Sequence, residues 1–306
     1  MTHSVDTSGF RHLYPFDSHF TKVGGRRLHY LDEGAGPPVL MLHGNPTWSF
    51  YYRSLVAGLS GDHRTLVPDH IGCGLSEKPG PARYDYRLES RVADLSEFIE
   101  KVAPGRPLTL IVHDWGGMIG MAWAVNHPER VDRIVVLNTA AFPPPARKPI
   151  PLRLAVIRNL AWLGAPLVLG LNAFARGALR MAAKRRLAAD VRTGLLAPYN
   201  SWHNRIATLR FVQDIPLRAE DPGFGIVAAT AGRLRRLSEK PMLICWAMGD
   251  FVFDADYLAE WRRRFPAAAV HRFERAGHYL LEDEPEAVLQ RIRGFFQRHP
   301  ASEVPR

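Results

Sequence analysis

The stretch Leu108-Thr-Leu-Ile-Val-His-Asp114-Trp-Gly-Gly-Met-Ile-Gly120 decides the fold of this chain. An uncharged β-prone run ends in His113 and Asp114, two glycines follow Trp115, and a helix-prone segment begins. That order marks a nucleophile elbow, a sharp strand-to-helix turn that lifts one side chain out of a sheet. The usual occupant is serine; here it is a carboxylate. A serine alkoxide suits an acyl carbon, whereas a carboxylate suits displacement at a saturated carbon bearing a good leaving group. Asp114 therefore carries information on substrate chemistry as well as on fold.

Outward from the elbow, short apolar runs alternate with helical ones. His29-Tyr-Leu-Asp-Glu33 and Pro38-Val-Leu-Met-Leu42 read as early strands, and Thr65-Leu-Val-Pro68 as the next. Tyr86 to Val102 has helical periodicity, with Val92, Leu95, Phe98 and Ile99 on one face. A strand over Leu108 to Val112 leads into a helix expected to begin near Gly117 and end near Asn126. Val131 to Leu137, Pro241 to Trp246 and Ala269 to Phe273 read as strands, and Glu286 to Arg298 as a closing amphipathic helix. The alternation predicts an α/β fold, a mostly parallel central sheet with helices on both faces.

The alternation breaks between Pro143 and Lys240. Residues 143–240 are therefore expected to form an inserted helical cap on a core made of residues 1–142 and 241–306. From Asn159 to Ala175 the insert carries no charge, in a run with Leu160, Trp162, Leu163, Leu167, Val168, Leu169, Leu171 and Phe174. Two readings stand for it: the lining of a tunnel for a long apolar substrate, or the cap's own core.

The chain has 306 residues, 46% of them hydrophobic and 23% charged, which is ordinary for a globular enzyme with a sizeable core. It holds no uninterrupted apolar stretch of about 20 residues, so no membrane-spanning helix is expected. The segment Met1 to His19 is polar and has no signal-peptide core, so a cytoplasmic location is expected. Cys73 and Cys245, the only cysteines, are expected to be free thiols. The net charge of +10 is concentrated: between Arg147 and Arg218 there are 13 Lys or Arg against two acids, Asp190 and Asp214. Such a segment suits an anionic partner, a membrane surface or an acidic enzyme of the same pathway, and equally suits a solvated basic face. No nucleic-acid-binding motif accompanies it, so nucleic acid is not expected. Clustered Cys/His spacing and a glycine-rich phosphate loop are both lacking, so neither a metal nor a cofactor is expected.

A carboxylate nucleophile needs partners. His278, in Arg275-Ala-Gly-His278-Tyr-Leu-Leu-Glu-Asp-Glu-Pro285, follows the last strand, where the order nucleophile, acid, base puts the histidine. A neutral imidazole can take a proton from water at neutral pH. Its orienting acid could follow the strand before the insert, which offers only uncharged Asn138, or the strand after it, which offers Asp250 across a glycine. Asp250 is the better candidate. The loop His43-Gly-Asn45-Pro-Thr-Trp48 follows an early strand and can supply one oxyanion-hole N–H, with the second from Trp115. The Asn45 side-chain amide and the Trp115 indole N–H could also converge on a departing anion. Trp48, Phe251, Phe253, Tyr279 and Leu280 neighbour these motifs and are candidates to line the substrate cavity. His70 is expected in a tight turn braced by Asp69, and His113 behind the nucleophile rather than in the chemistry.

Together these residues resemble the haloalkane dehalogenase group of the α/β-hydrolase superfamily, over residues 25 to 297. The most specific parts are His43-Gly-Asn-Pro-Thr-Trp48, His113-Asp-Trp-Gly-Gly117 and Ala276-Gly-His278. The resemblance implies nucleophile Asp114, base His278, acid Asp250 and leaving-group donors Asn45 and Trp115, in the manner of the family's third subgroup. Epoxide hydrolases share the Asp-Trp pair but use cap tyrosines, and Tyr199 is the insert's only tyrosine. Val112 departs from the elbow pattern, which has a small residue there. Within the subgroup the chain is most similar to the β-lactone decarboxylases of bacterial long-chain olefin biosynthesis. Asn172-Ala-Phe-Ala-Arg-Gly177, Leu209-Arg-Phe-Val-Gln-Asp-Ile-Pro216 and Trp246-Ala-Met-Gly-Asp-Phe-Val-Phe253 carry that similarity. It implies opening of a β-lactone by Asp114, at the saturated carbon or at the carbonyl, then loss of CO2. Dehalogenation of alkyl halides is the alternative, and a membrane- or partner-docking scaffold with secondary catalysis is the third.

Overall fold

A computed structural model of the chain describes residues 5–145 and 149–302. Met1 to Ser4, and Arg147 and Lys148, the first two cations of the basic segment, lie outside the described residues. Eight strands form one sheet: β1 (His19–Val23), β2 (Arg26–Glu33), β3 (Pro38–Leu42), β4 (Arg64–Pro68), β5 (Leu108–Asp114), β6 (Val131–Thr139), β7 (Met242–Ala247) and β8 (Ala269–Phe273). Their order is β1-β2-β4-β3-β5-β6-β7-β8. Strands β1/β2 and β2/β4 pair antiparallel, and every other neighbouring pair is parallel.

The central strands β3, β5 and β7 are buried at every position. This is what a sheet covered on both faces demands, and it explains their continuous apolar runs. The core helices are α1 (Arg53–Leu59), α2 (Leu88–Val102), α3 (Trp115–Ala124), α10 (Ala255–Arg264), α11 (Leu280–Asp283) and α12 (Pro285–Arg298), with α4 to α9 falling between β6 and β7. One apolar cluster packs Leu95, Phe98, Ile119, Trp123 and Trp261 on one face, and another packs Leu55, Tyr279, Val288, Ile292 and Phe295 on the other.

Every described regular element between β6 and β7 is helical: α4 (Leu152–Asn159), α5 (Ala161–Ala165), a π-helical turn Pro166–Gly170, α6 (Ala173–Met181), α7 (Ala189–Leu196), α8 (Ile206–Gln213) and α9 (Phe224–Arg233), with short 3-10 turns among them. The uncharged run divides three ways. Leu167, Ala173 and Phe174 face a large cavity. Val168 and Leu169 join Ile157, Leu209 and Val212 in a small core of the insert's own. Leu160, Trp162 and Leu171 are exposed, which neither sequence reading foresaw.

Strand order reverses around β3, whose neighbours β4 and β5 precede different crossovers. In open α/β sheets the crevice beyond the carboxyl ends of the strands at such a switch point is where ligands bind. The loops after β3, β5, β7 and β8 all leave the sheet at that edge.

Candidate active site

Asp114 ends β5 and caps α3, with φ 50° and ψ −126°. A positive φ is costly for a residue with a Cβ and persists only where the surroundings impose it. Here they do. Thr139 Oγ1, at the end of neighbouring β6, donates to the Asp114 carbonyl. Two glycines let the backbone close in: a Cβ on Gly44 would overlap the Asp114 carboxylate, and one on Gly116 would meet the Leu42 carbonyl. The helix therefore starts directly at Trp115, two residues earlier than the glycines suggested.

The two carboxylate oxygens have different company. Oδ1 accepts the backbone N–H of Asn45 at 3.0 Å and of Trp115 at 2.6 Å. Oδ2 faces His278 Nε2 at 3.3 Å. On the far side of the imidazole, Nδ1 lies 2.8 Å from Asp250 Oδ2. Asp250 is fixed in turn, because its Oδ1 accepts from Val252 N at 2.7 Å and Phe253 N at 3.2 Å. All three side chains are buried. Asn138 has a different task. Its side chain donates to the Ala247 carbonyl and accepts from the Ala247 N–H, clamping β6 to β7.

The charges follow from these contacts. Burial alone would lower the His278 imidazole, but the carboxylates of Asp250 and Asp114 outweigh it and push it up to about 10. Burial works to raise the Asp114 carboxyl, and its bonds to His278 reverse this and hold it below the ordinary value. The resting group is an imidazolium between two carboxylates. Forming an ester on Asp114 would remove one of the two charges that keep the proton on His278. His113 stays neutral, pushed down to about 3 by burial first and by the charge of His278 second. A neutral His113 carries its hydrogen on Nε2 to donate to the His278 carbonyl at 2.9 Å, which fixes the backbone of the histidine loop.

Asn45 and Trp115 both border a cavity of about 1140 Å³ that contains Asp114 and His278. One N–H of the Asn45 side chain is committed to the Thr208 carbonyl at 3.0 Å, leaving the other for a ligand. No described residue accepts from the Trp115 indole N–H, and the ring is held at its face by Phe211 with centroids 5.0 Å apart. The lining beyond is apolar, with Met118, Phe142, Ile157, Leu167, Phe174 and Val227 among it.

Of the five residues expected to line the cavity, Phe251, Phe253 and Tyr279 do so. Trp48 and Leu280 do not, and both are corrections. The Trp48 indole N–H donates to the Gly194 carbonyl at 3.0 Å, which turns the ring into an aromatic cluster with Phe10, Tyr14 and Phe50. Leu280 opens α11 and packs fully buried against the second core face. Asp69 braces its turn as expected, accepting from Ser49 N, Leu75 N and His29. His70 bonds its ring to the His43 carbonyl, and burial first, then His43, holds its imidazole well below the usual value. Tyr199 donates to the Thr47 carbonyl at 3.0 Å and does not border the cavity. Cys73 and Cys245 are free and buried.

Sequence reading missed Asp283. Its carboxylate accepts from Gly277 N at 2.8 Å, just before His278, and from Lys184 N and Arg185 N in the insert. It ties the histidine loop to the helices above. No sequence signal sets it apart in the Glu282-Asp-Glu284 run, where Glu282 is buried too, on Arg53. Among the described residues no group of His, Cys, Asp and Glu could hold a metal ion.

A family model described as the alpha/beta hydrolase fold matches residues 37–285. The chain is 49% identical over 284 residues to a cis-3-alkyl-4-alkyloxetan-2-one decarboxylase of Shewanella oneidensis, covering 92% of this chain and 89% of that protein. It is 46% identical to another of that name from Xanthomonas campestris pv. campestris, with 90% and 94% covered. Haloalkane dehalogenase 2 of Mycobacterium tuberculosis is 31% identical, with 94% and 98% covered. Among solved structures, a haloalkane dehalogenase from Bradyrhizobium elkani USDA94 superposes with a TM-score of 0.84 at 24% identity, over 92% of this chain and 98% of that one. With a matching model over most of its length and relatives this similar across nine-tenths of it, the chain belongs to the alpha/beta hydrolase fold family.

Proposed function

We propose that the protein decarboxylates cis-3-alkyl-4-alkyloxetan-2-ones, β-lactones with two long alkyl arms, to an alkene and CO2, with Asp114 as nucleophile. The observation that carries the reading is a carboxylate with one oxygen cradled by two amides and the other facing His278, at the wall of a large apolar chamber. The relatives at 46–49% identity supply the substrate class. Residues 143–240 then act as a cap whose cavity-facing side chains hold the arms.

Asp114 Oδ2 attacks the saturated ring carbon that bears the lactone oxygen. The C–O bond breaks and its electrons leave on a tethered carboxylate. The second N–H of Asn45 and the indole N–H of Trp115 are placed to receive that anion, uncharged donors that bind it without trapping it. The ester carbonyl on Asp114 stays in the amide cradle. The bond to the carboxylate carbon then breaks, its electrons form the alkene, and the C–Oδ2 bond opens to return Asp114 as a carboxylate. No water and no redox partner enter the balance. His278, held by Asp250, starts as an imidazolium beside Asp114, and no proton needs to leave or join it for these bond changes to balance.

Haloalkane dehalogenation is the second reading, favoured by the same donor pair and by the 31% identical relative. There water must attack the Asp114 ester, and His278 must accept its proton. One experiment separates the two. The protein is given a long-chain cis-β-lactone or a bromoalkane in a single turnover in oxygen-18 water. Alkene and CO2 in equal amounts, with Asp114 unlabelled by mass spectrometry, are expected from the lactone. Bromide release with label in Asp114, together with inertness toward lactones of several chain lengths, would overturn the first reading.

A further inference from the structure

Among the described residues, five of the seven large exposed apolar side chains lie in the insert, four of them between Leu152 and Leu171. Leu152 is 79% exposed, Trp162 76%, Leu171 66%, Trp202 55% and Leu160 40%. Trp202 lies against Gly170, so it flanks Leu171. Exposed apolar groups gathered this way signal a covered surface. The charge around them is one-sided. Arg176, Arg180, Lys184, Arg185 and Arg186 are exposed, and no described carboxylate pairs with their side chains. Between Pro149 and Ala189 the chain has no acidic residue. The helices α4 and α5 with the π turn meet at 103°, a bend suited to lying on a surface, and no single described helix is long and apolar enough to cross a membrane.

The start of that run borders the mouth of the chamber. Leu152, Arg153, Lys184 and Phe251 line the chamber and are also exposed, so the chamber reaches solvent between them. Tryptophan and leucine at a headgroup boundary, with arginines drawn to anionic lipid, are the parts of an interfacial anchor.

We propose that this face docks on an anionic phospholipid bilayer and sets the chamber mouth against the lipid. The role of the docking, uptake of an apolar substrate from the bilayer, rests on the reading of the site given above, whereas the docking itself is measured without substrate. Co-sedimentation with vesicles of phosphatidylglycerol and phosphatidylcholine tests it. Binding should rise with phosphatidylglycerol content and fall as salt is raised, since screening weakens exposed charges. The pair Trp162→Ser and Leu171→Ser, or Arg176→Glu with Arg180→Glu, should each lower the vesicle partition constant about tenfold, about 1.4 kcal/mol at 25 °C. Neither pair borders the chamber, so turnover of detergent-dispersed substrate should persist. No binding to phosphatidylglycerol vesicles, or binding unchanged in both pairs, would overturn the proposal. Concentration-dependent self-association lost in Trp162→Ser, without vesicle binding, would overturn it in favour of an interface between two copies.

Discussion

At the scale of the residue, the division of labour between the two oxygens of Asp114 sets the expectations. Asp114→Ala should abolish turnover while the melting profile stays cooperative. Loss of one oxyanion donor typically costs about 100- to 1,000-fold in rate, and Trp115→Phe or Asn45→Ala should lose on that order in kcat. A change below about threefold would mean that these donors are not engaged in the slow step. The imidazolium gives a pH signature. The usual imidazole value is 6.5, and His278 is raised to about 10. Its ion pairs therefore contribute fully to stability below pH 6.5, and the contribution is lost as pH climbs through about 10. The gap in Tm between the protein and His278→Gln should be constant on the acid side of that window and shrink across it. A gap independent of pH would contradict the raised value. Asp114 and His278 could be found from sequence because each sits in a short local pattern next to a strand end. Trp48 and Leu280 were misplaced because adjacency along the chain does not say where a ring points. A single bond from the Trp48 indole to Gly194, 146 positions away, decides it.

At the scale of the element, the elbow works because three loops close on it at contact distance. Gly44 is the glycine that touches the carboxylate itself, since a methyl group there would occupy the space of Asp114. A misplacement of about 1 Å in a catalytic group can cost on the order of 100-fold. Gly44→Ala should therefore lose about that factor in kcat, with far-UV circular dichroism unchanged; full activity would show that the carboxylate has room to move. The buried strands β3 to β7 were legible in the sequence because both of their faces are covered and their apolar runs are uninterrupted. Strand β1 was not. Only Val23 of its five residues is buried, so the edge strand His19-Phe-Thr-Lys-Val23 carries no apolar signal. The start of α3 was placed late for the opposite reason. Its glycines serve close packing against Leu42 and Thr139 rather than ending a turn.

At the scale of the whole molecule, a chamber of about 1140 Å³ exceeds the roughly 300–1,000 Å³ of ordinary small-molecule sites. Its size and apolar lining match two long alkyl arms. Val156 borders it from α4. Val156→Trp should shift the preferred lactone toward shorter chains, read as a fall in kcat/KM that grows with chain length; a uniform fall would place the arms elsewhere. The chamber could not be read from sequence, because it is enclosed jointly by the β-strand loops and by helices distant along the chain. The same is true of the reacting groups. The Asn45 amide comes from the loop after β3, the Asp114 carboxylate from β5, the Asp250 carboxylate from beyond β7 and the His278 imidazole from beyond β8. No contiguous piece of polypeptide holds them all. Catalysis is thus an all-or-none gauge of tertiary assembly: under denaturant, alkene output should vanish no later than the helical signal, and an excised half of the sheet should be chemically silent.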